Sequence, residues 1–263
     1  MCVFVLSSSK SETLQANWEP PGRNPGRLFF NLPQETQAWE LPWWRMCVRV
    51  WRMRFLITAG PTREPLDPAR YLTNRSSGRM GYALAGAARH DGHEVLLISG
   101  PTTLDVPPGV DFIHVETAQQ MYDAVRDMLG GVDVAILTAA VADYRPVAYS
   151  EQKIKKQGER MVLELERTPD ILGSMRSVFG FTGTLIGFAA ETQDVESYAR
   201  GKLERKQCDM VVGNDVSRRD IGFDSRENEV VLVFPDHVEY LEKDTKEHIA
   251  MHIIEHATII RPK

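Results

Sequence analysis

The residues best suited to chemistry lie in a few short stretches. The first runs from Gly60 to Gly81 and ends Thr73-Asn-Arg-Ser-Ser-Gly-Arg-Met-Gly81. Ser76, Ser77 and Gly78 stand where a helix would begin. Unpaired N–H groups and the helix dipole favour a phosphate there. Gly78 and Gly81 would let a ligand come close to the backbone. The pattern is neither a Gly-x-Gly-x-x-Gly fingerprint nor a P-loop, so phosphate binding competes with a plainer role in which the serines cap a helix. The second stretch is Ala139-Ala-Val-Ala-Asp143. Its small residues would let a flat ligand lie on the backbone. Asp143 could accept hydrogen bonds from a base, hold a metal, or simply cap a turn. The third is Lys153-Ile-Lys-Lys156, which could neutralise a triphosphate through charge-assisted contacts or could be a solvated face. Phe188 ends an apolar run, where it could stack on a base or fill the core. Lys202 and Lys206 are one helical turn apart and share a face. His90, His93 and His114 lack ligand spacing, and Cys208 reads as a small buried apolar residue.

These residues need elements to hold them. Phe55–Ala59 is a short apolar strand ending at Gly60. Arg79–His90 has helical spacing and stops at Asp91-Gly92. Glu94–Ser99 and Asp111–Val115 are strands, and Ala118–Leu129 is an amphipathic helix. Val132–Ala139 is apolar almost throughout, as in a strand buried on both faces. Met161–Leu165 alternates and predicts an added strand. Helices are predicted over Asp170–Phe179, Val195–Gln207 and Lys246–Ala257. Strands are predicted over Thr184–Ala189 and Met210–Gly213, with a pair at Asn228–Phe234 and Val238–Leu241. Strand–helix alternation implies an α/β fold with a mostly parallel, Rossmann-like sheet flanked by helices. Ligands bind such sheets beyond the carboxyl ends of the strands, which is where the chemical stretches fall.

The chain has 263 residues, 43% hydrophobic and 25% charged, with a formal net charge of -5. That balance argues against nucleic acid as the main partner. The cysteines, Cys2, Cys47 and Cys208, are sparse, odd in number and without zinc spacing. They fit a reducing compartment, and no apolar run reaches the ~18 residues of a membrane span, so a cytoplasmic protein is expected. All the tryptophans precede Met53. Residues 1–53 read as an irregular extension, either a misassigned start or an arm over apolar surface, and residues 54–263 as the working domain.

Taken in order and spacing, these blocks resemble bacterial phosphopantothenate–cysteine ligase. The resemblance runs from about Phe55 to the C-terminus. It rests on Ile57-Thr-Ala-Gly-Pro-Thr-Arg-Glu64, Thr73–Gly81, Ala139–Asp143, Lys153–Lys156, Gly187–Thr192, Asn214-Asp-Val216 and Gly222-Phe-Asp-Ser225. It implies a step of coenzyme A biosynthesis in which CTP, with Mg²⁺, activates 4′-phosphopantothenate to an acyl-cytidylate. Cysteine then displaces CMP.

By the same resemblance, Asn74 holds the acyl intermediate and Lys153 contacts the nucleotide. Arg70 and Ala140 lie near the acyl group. Leu137, Thr138, Ala139 and Asp143 line the cytidine site. Lys156, Pro169, Asp170, Ile171, Leu172, Phe188, Lys202 and Lys206 complete nucleotide binding. Gly60, Ser76, Gly78 and Gly81 lie against phosphates or ribose. The metal ligands stay unassigned. The resemblance also implies a homodimer using the segment from Asn214 to Phe234, with its small antiparallel strand pair. Many relatives carry a flavin-dependent decarboxylase ahead of this domain. Residues 1–53 lack its strand–helix pattern, so a standalone ligase without flavin is expected. An NAD(P)-dependent oxidoreductase of Rossmann type is opposed by the missing fingerprint and by the lysines. A non-catalytic nucleotide-binding module is opposed by the presence of both Asn74 and Lys153.

Overall fold

A computed structural model describes residues 52–156, 158–218, 220–221 and 225–260. The first 51 residues of the expected extension, and Gly222, Phe223 and Asp224, therefore lie outside the described residues. Parallel strands β1 (Arg54–Ala59), β4 (Glu94–Ser99), β5 (Asp111–His114), β6 (Val134–Leu137), β9 (Thr184–Glu191) and β10 (Met210–Asp215) form most of one sheet. Strands β11 (Glu227–Val233) and β12 (Val238–Thr245) extend it antiparallel. The order is β12-β11-β10-β9-β6-β1-β4-β5. The chain thus builds outward from β1 through β4 to β5, then returns to place β6 on the other side of β1. That reversal makes the carboxyl ends of β1 and β6 the topological switch point, the place where such sheets usually form a ligand crevice.

Alternation along β1 assigns the two faces. Phe55, Ile57 and Ala59 join one apolar cluster, with α1 (Arg79–His90) and α5 (Lys246–Ile259). Leu56 joins the other, with α2 (Ala118–Met128), α3 (Ile171–Ser177) and α4 (Val195–Lys206). His93 is buried, its ring 5.0 Å from that of Phe55, and its Nδ1 accepts from the Met53 N–H. Burial pushes its pKa down. It is a core histidine, as its lack of ligand spacing suggests.

Several expectations shift. The added strand is not Met161–Leu165 but β8 (Leu165–Arg167), paired antiparallel with β7 (Tyr144–Pro146). Alternation in Met161–Leu163 meets no sheet to bury it, and Val162 is 93% exposed. The run Val132–Ala139 contributes strand only over Val134–Leu137, freeing Thr138 and Ala139 for the crevice. The connection Gly60–Gly81, expected to be a loop, contains a hairpin of β2 (Arg63–Asp67) and β3 (Arg70–Thr73).

One buried ion pair joins the sheet to α3. Arg176 meets Asp209 at 2.6 Å and donates to the carbonyls of Phe181 and Gly183, at 2.7 and 2.8 Å. Asp209 also accepts the Leu185 N–H. Arg176→Ala would leave Asp209, which is 4% exposed, without its cation. A loss of about 3–5 kcal/mol is expected, read as a lower urea midpoint at unchanged m. A midpoint shift within error of zero would show that the pair does not hold the fold.

Candidate active site

Past Ala59 and Leu137 the two central strands stay in register without forming a ladder. Pro61 bridges Ala140. The Ala140 N–H donates to Gly60 O at 2.9 Å, and Ala139 N–H to Thr58 Oγ1 at 3.2 Å. Thr62 Oγ1 accepts from Ala142 N, and Thr168 Oγ1 donates to Ala142 O. Threonines thus fix the backbone from Ala139 to Ala142, leaving Ala139, Ala140 and Val141 partly open and Ala142 buried. Asn74 reaches across, and its Nδ2 donates to Val141 O at 2.9 Å. The structure therefore brings Asn74, Gly60 and Ala140 together at the switch point.

Gly60 and Gly78 both have positive φ, of 71° and 76°. A Cβ on Gly78 would approach Gly60 backbone to 3.3 Å and Thr102 Cγ2 to 2.7 Å. The two glycines thus let two turns touch. Helix α1 starts at Gly78 without a side-chain cap, and Ser76 Oγ accepts the Gly78 N–H at 3.3 Å. Gly81 serves helix–strand packing. A Cβ there would lie 2.5 Å from Ala59 Cβ and 3.1 Å from Thr58 O, so its absence seats α1 on β1.

The lysine stretch is tied to the β2–β3 hairpin. Arg70 forks onto Asp67, with Nε at 3.0 Å and Nη2 at 2.5 Å, and Nη2 also donates to Ile154 O at 3.0 Å. Ile154 N–H donates to Asp67. Lys153 and Lys156 are exposed on either side of this tether. The Arg70 guanidinium and the Ala69 and Ile154 N–H groups hold the Asp67 carboxyl well below the usual carboxylate range, against burial. Arg70 was expected at the acyl group; its guanidinium is occupied by Asp67 and Ile154, although its side chain stays 41% exposed.

A second group surrounds the end of β9. Leu137 pairs with Gly187, which puts Phe188 beside Thr138 in register. Phe188 is partly buried against the α1–α5 face of the sheet, while its carbonyl accepts from Lys202 Nζ at 2.6 Å. Burial lowers the Lys202 pKa. Lys206 pairs with Asp170, and Asp170 also caps α3 through Gly173 N at 2.9 Å. Burial raises the Asp170 pKa, but Lys206 and Gly173 outweigh it and the net shift is downward. The shared face expected for Lys202 and Lys206 is thus divided between two acceptors. Ile171 is buried in the core, Pro169 and Leu172 are partly buried, and Asp143 is exposed. Thr168 N–H donates to Asp143 O, which ties this group to the crevice.

Cys208 is 2% exposed, and burial pushes its thiol up to about 12. Iodoacetamide at mild alkaline pH is expected to leave Cys208 unlabelled in the folded protein and to label it after denaturation. Rapid native labelling of its peptide would refute the burial.

Sequence reasoning missed Thr58, Thr62, Asp67 and Thr168. Their signal is a backbone group supplied by a distant segment, and no local spacing carries it.

Residues 51–260 match the family described as DNA/pantothenate metabolism flavoprotein C-terminal domain. The chain belongs to this family. Among its relatives is the coenzyme A biosynthesis bifunctional protein CoaBC of Vibrio parahaemolyticus, 48% identical over 202 residues, covering 76% of this chain and 51% of the relative. The CoaBC of Bacillus subtilis is 50% identical over 182 residues, covering 69% and 45%. The chain thus spans about half the length of the curated relatives it matches. Among solved structures, the C-terminal domain of a CoaBC is 44% identical with a TM-score of 0.67, over 79% of this chain and 94% of that one. The DNA/pantothenate metabolism flavoprotein from Streptococcus pneumoniae is 26% identical with a TM-score of 0.68, over 78% and 97%. Membership of the family fits the mostly parallel sheet.

Proposed function

We propose that this chain is a phosphopantothenate–cysteine ligase of the cytoplasm that uses CTP. The observation that carries the reading is the convergence of Asn74, Gly60 and Ala140 at the carboxyl ends of β1 and β6, on a connection whose β2–β3 hairpin also tethers the segment carrying Lys153. A carboxylate oxygen of 4′-phosphopantothenate attacks the α-phosphorus of CTP, and the bond to pyrophosphate breaks. The cysteine amine then attacks the acyl carbon of the acyl-cytidylate, CMP leaves and the amine loses a proton. Neither step oxidises or reduces an atom, so neither needs a flavin. The work left to the protein is charge neutralisation and placement.

Lys153 neutralises phosphate charge, with Lys156 behind it. Gly60, Gly78 and Ser76 present backbone and hydroxyl to the phosphates. Leu137, Thr138, Ala139 and Asp143 line the base, and Phe188, Lys202 and the Pro169–Leu172 turn complete that side. Among the described residues no three His, Cys, Asp or Glu side chains gather as a metal site. Mg²⁺ is a cation that needs few protein ligands beside a triphosphate, and the Asp143 carboxylate, which is exposed, would be the group available to hold it. When bound, it supplies further neutralisation of the triphosphate.

A homodimer belongs to the same reading. The exposed apolar side chains Tyr71, Tyr144, Val147, Tyr149, Val162 and Leu165 lie on and around the β2–β3 and β7–β8 hairpins. Strand β11 is mostly buried between its neighbours. The hairpins are therefore a second candidate contact face beside the Asn214–Phe234 segment.

The test is pyrophosphate release with phosphopantothenate and cysteine, using CTP or ATP. Release dependent on phosphopantothenate supports the ligase, and the faster nucleotide names the co-substrate. No release with either would refute it.

A further inference from the structure

We propose that Asp67 is a positioning residue for nucleotide activation: together with Arg70 it grips the Ile154 backbone and so sets where Lys153 presents its ammonium. The inference rests on the ligase reading, in which Lys153 serves activation.

Asp67 ends β2 with its side chain fully buried. Its Oδ1 accepts the Ala69 N–H at 2.8 Å, closing the hairpin turn. Its Oδ2 accepts Arg70 Nε and Nη2 and the Ile154 N–H, the last at 3.1 Å. Arg70 Nη2 returns a bond to the Ile154 carbonyl at 3.0 Å. One ion pair thus holds both backbone polar groups of a residue 87 positions later in the chain.

Ile154 lies outside any helix or strand, so no ladder fixes it. Upstream, the Ser150 N–H donates to Leu66 O at 3.0 Å, and Ser150 Oγ donates to Gln152 O at 2.6 Å. The segment carrying Lys153 is therefore anchored to β2 at two points, of which Asp67 is the charged one. A buried ion pair often adds little to stability and can instead specify one arrangement. Here the arrangement specified is the path of the peptide next to Lys153. A displacement of about 1 Å in a reacting group can cost roughly 100-fold in rate.

Asp67→Asn keeps the shape but loses the charge and places an NH₂ where an acceptor is needed. Single-turnover pyrophosphate release with CTP and phosphopantothenate is expected to fall roughly 10–100-fold. Attack of cysteine on preformed acyl-cytidylate is expected to stay at the wild-type rate. Adding Asp67→Asn to Lys153→Gln is expected to lower activation no further than Lys153→Gln alone, because both remove one unit. Equal loss in both half-reactions, multiplication in the double variant, or wild-type activation by Asp67→Asn would each overturn the proposal.

A second arm needs no substrate. Limited trypsin digestion is expected to cut after Lys153 and Lys155 roughly tenfold faster in Asp67→Asn than in wild type, with other sites unchanged, because local opening sets the rate. Equal cutting would overturn the grip itself. Should wild type release no pyrophosphate, the ligase reading fails, and the trypsin arm still decides the grip. If Asp67→Asn does not fold, Asp67→Glu, which keeps the charge but shifts the fork by one methylene, goes through both arms.

Discussion

Asn74→Ala is expected to lower formation of phosphopantothenoylcysteine by about 100–1,000-fold, while pyrophosphate is still released in a single turnover and acyl-cytidylate accumulates. The geometry explains the split. One N–H of the Asn74 amide is committed to Val141 O. That bond fixes the plane of the amide against the Ala139–Ala142 backbone. A second N–H so placed can donate to the acyl carbonyl as charge develops on its oxygen during cysteine attack. In the proposed reaction, activation instead builds charge on phosphate, the part assigned there to the lysines and the Gly60–Gly78 turns. Asn74→Asp offers an acceptor where a donor is needed and should be at least as slow as Asn74→Ala. Trapping the acyl-cytidylate by acid quench and mass spectrometry checks the result. Wild-type turnover by Asn74→Ala would remove Asn74 from the mechanism.

The part of this site that was legible in sequence is the part made by local pattern. The apolar run Val132–Ala139 reads as a strand buried on both faces, and Phe55–Ala59 and Thr184–Ala189 read as strands of the same sheet; all three hold central strands. Gly60, Ala139 and Phe188 follow them at the carboxyl ends. The hairpin inside Gly60–Gly81 was not legible. Its strands are short, and Pro65 and Pro68 interrupt them with polar residues on either side, which reads as loop chemistry. Gly81 was only half legible for a related reason: a glycine near a helix start suits a ligand or a neighbouring strand equally well, and its contact with Ala59 has no local signal. Asp67 carried no signal because its partner Ile154 is distant in sequence. Lys202 and Lys206 share a helix face as their spacing requires, but spacing could not show that one reaches a carbonyl and the other an aspartate.

Lys153→Gln is expected to act on the opposite half of the reaction from Asn74→Ala. Removing one charge beside a triphosphate should slow pyrophosphate release by about 100-fold and leave cysteine attack on supplied acyl-cytidylate unchanged. The exposure of Lys153 does not weaken this expectation. An exposed ammonium contributes little to folding, so the variant should keep its urea midpoint, and the loss reports on chemistry alone. Lys156 lies beyond the peptide that Asp67 and Arg70 hold, so its position is less fixed. Lys156→Gln should raise KM for the nucleotide more than it lowers kcat, as expected for an interaction made equally in ground and transition states. Its contribution should also fade with added salt, since a mobile exposed charge is screened over about 8–10 Å at 0.1–0.15 M ionic strength. Lys153→Arg restores the charge but not the compact ammonium. Recovery of part of the activation rate is therefore expected, and full recovery would mean that charge alone matters. Single-turnover release of pyrophosphate separates these outcomes, and an unchanged rate in Lys153→Gln would take activation away from the lysine stretch altogether.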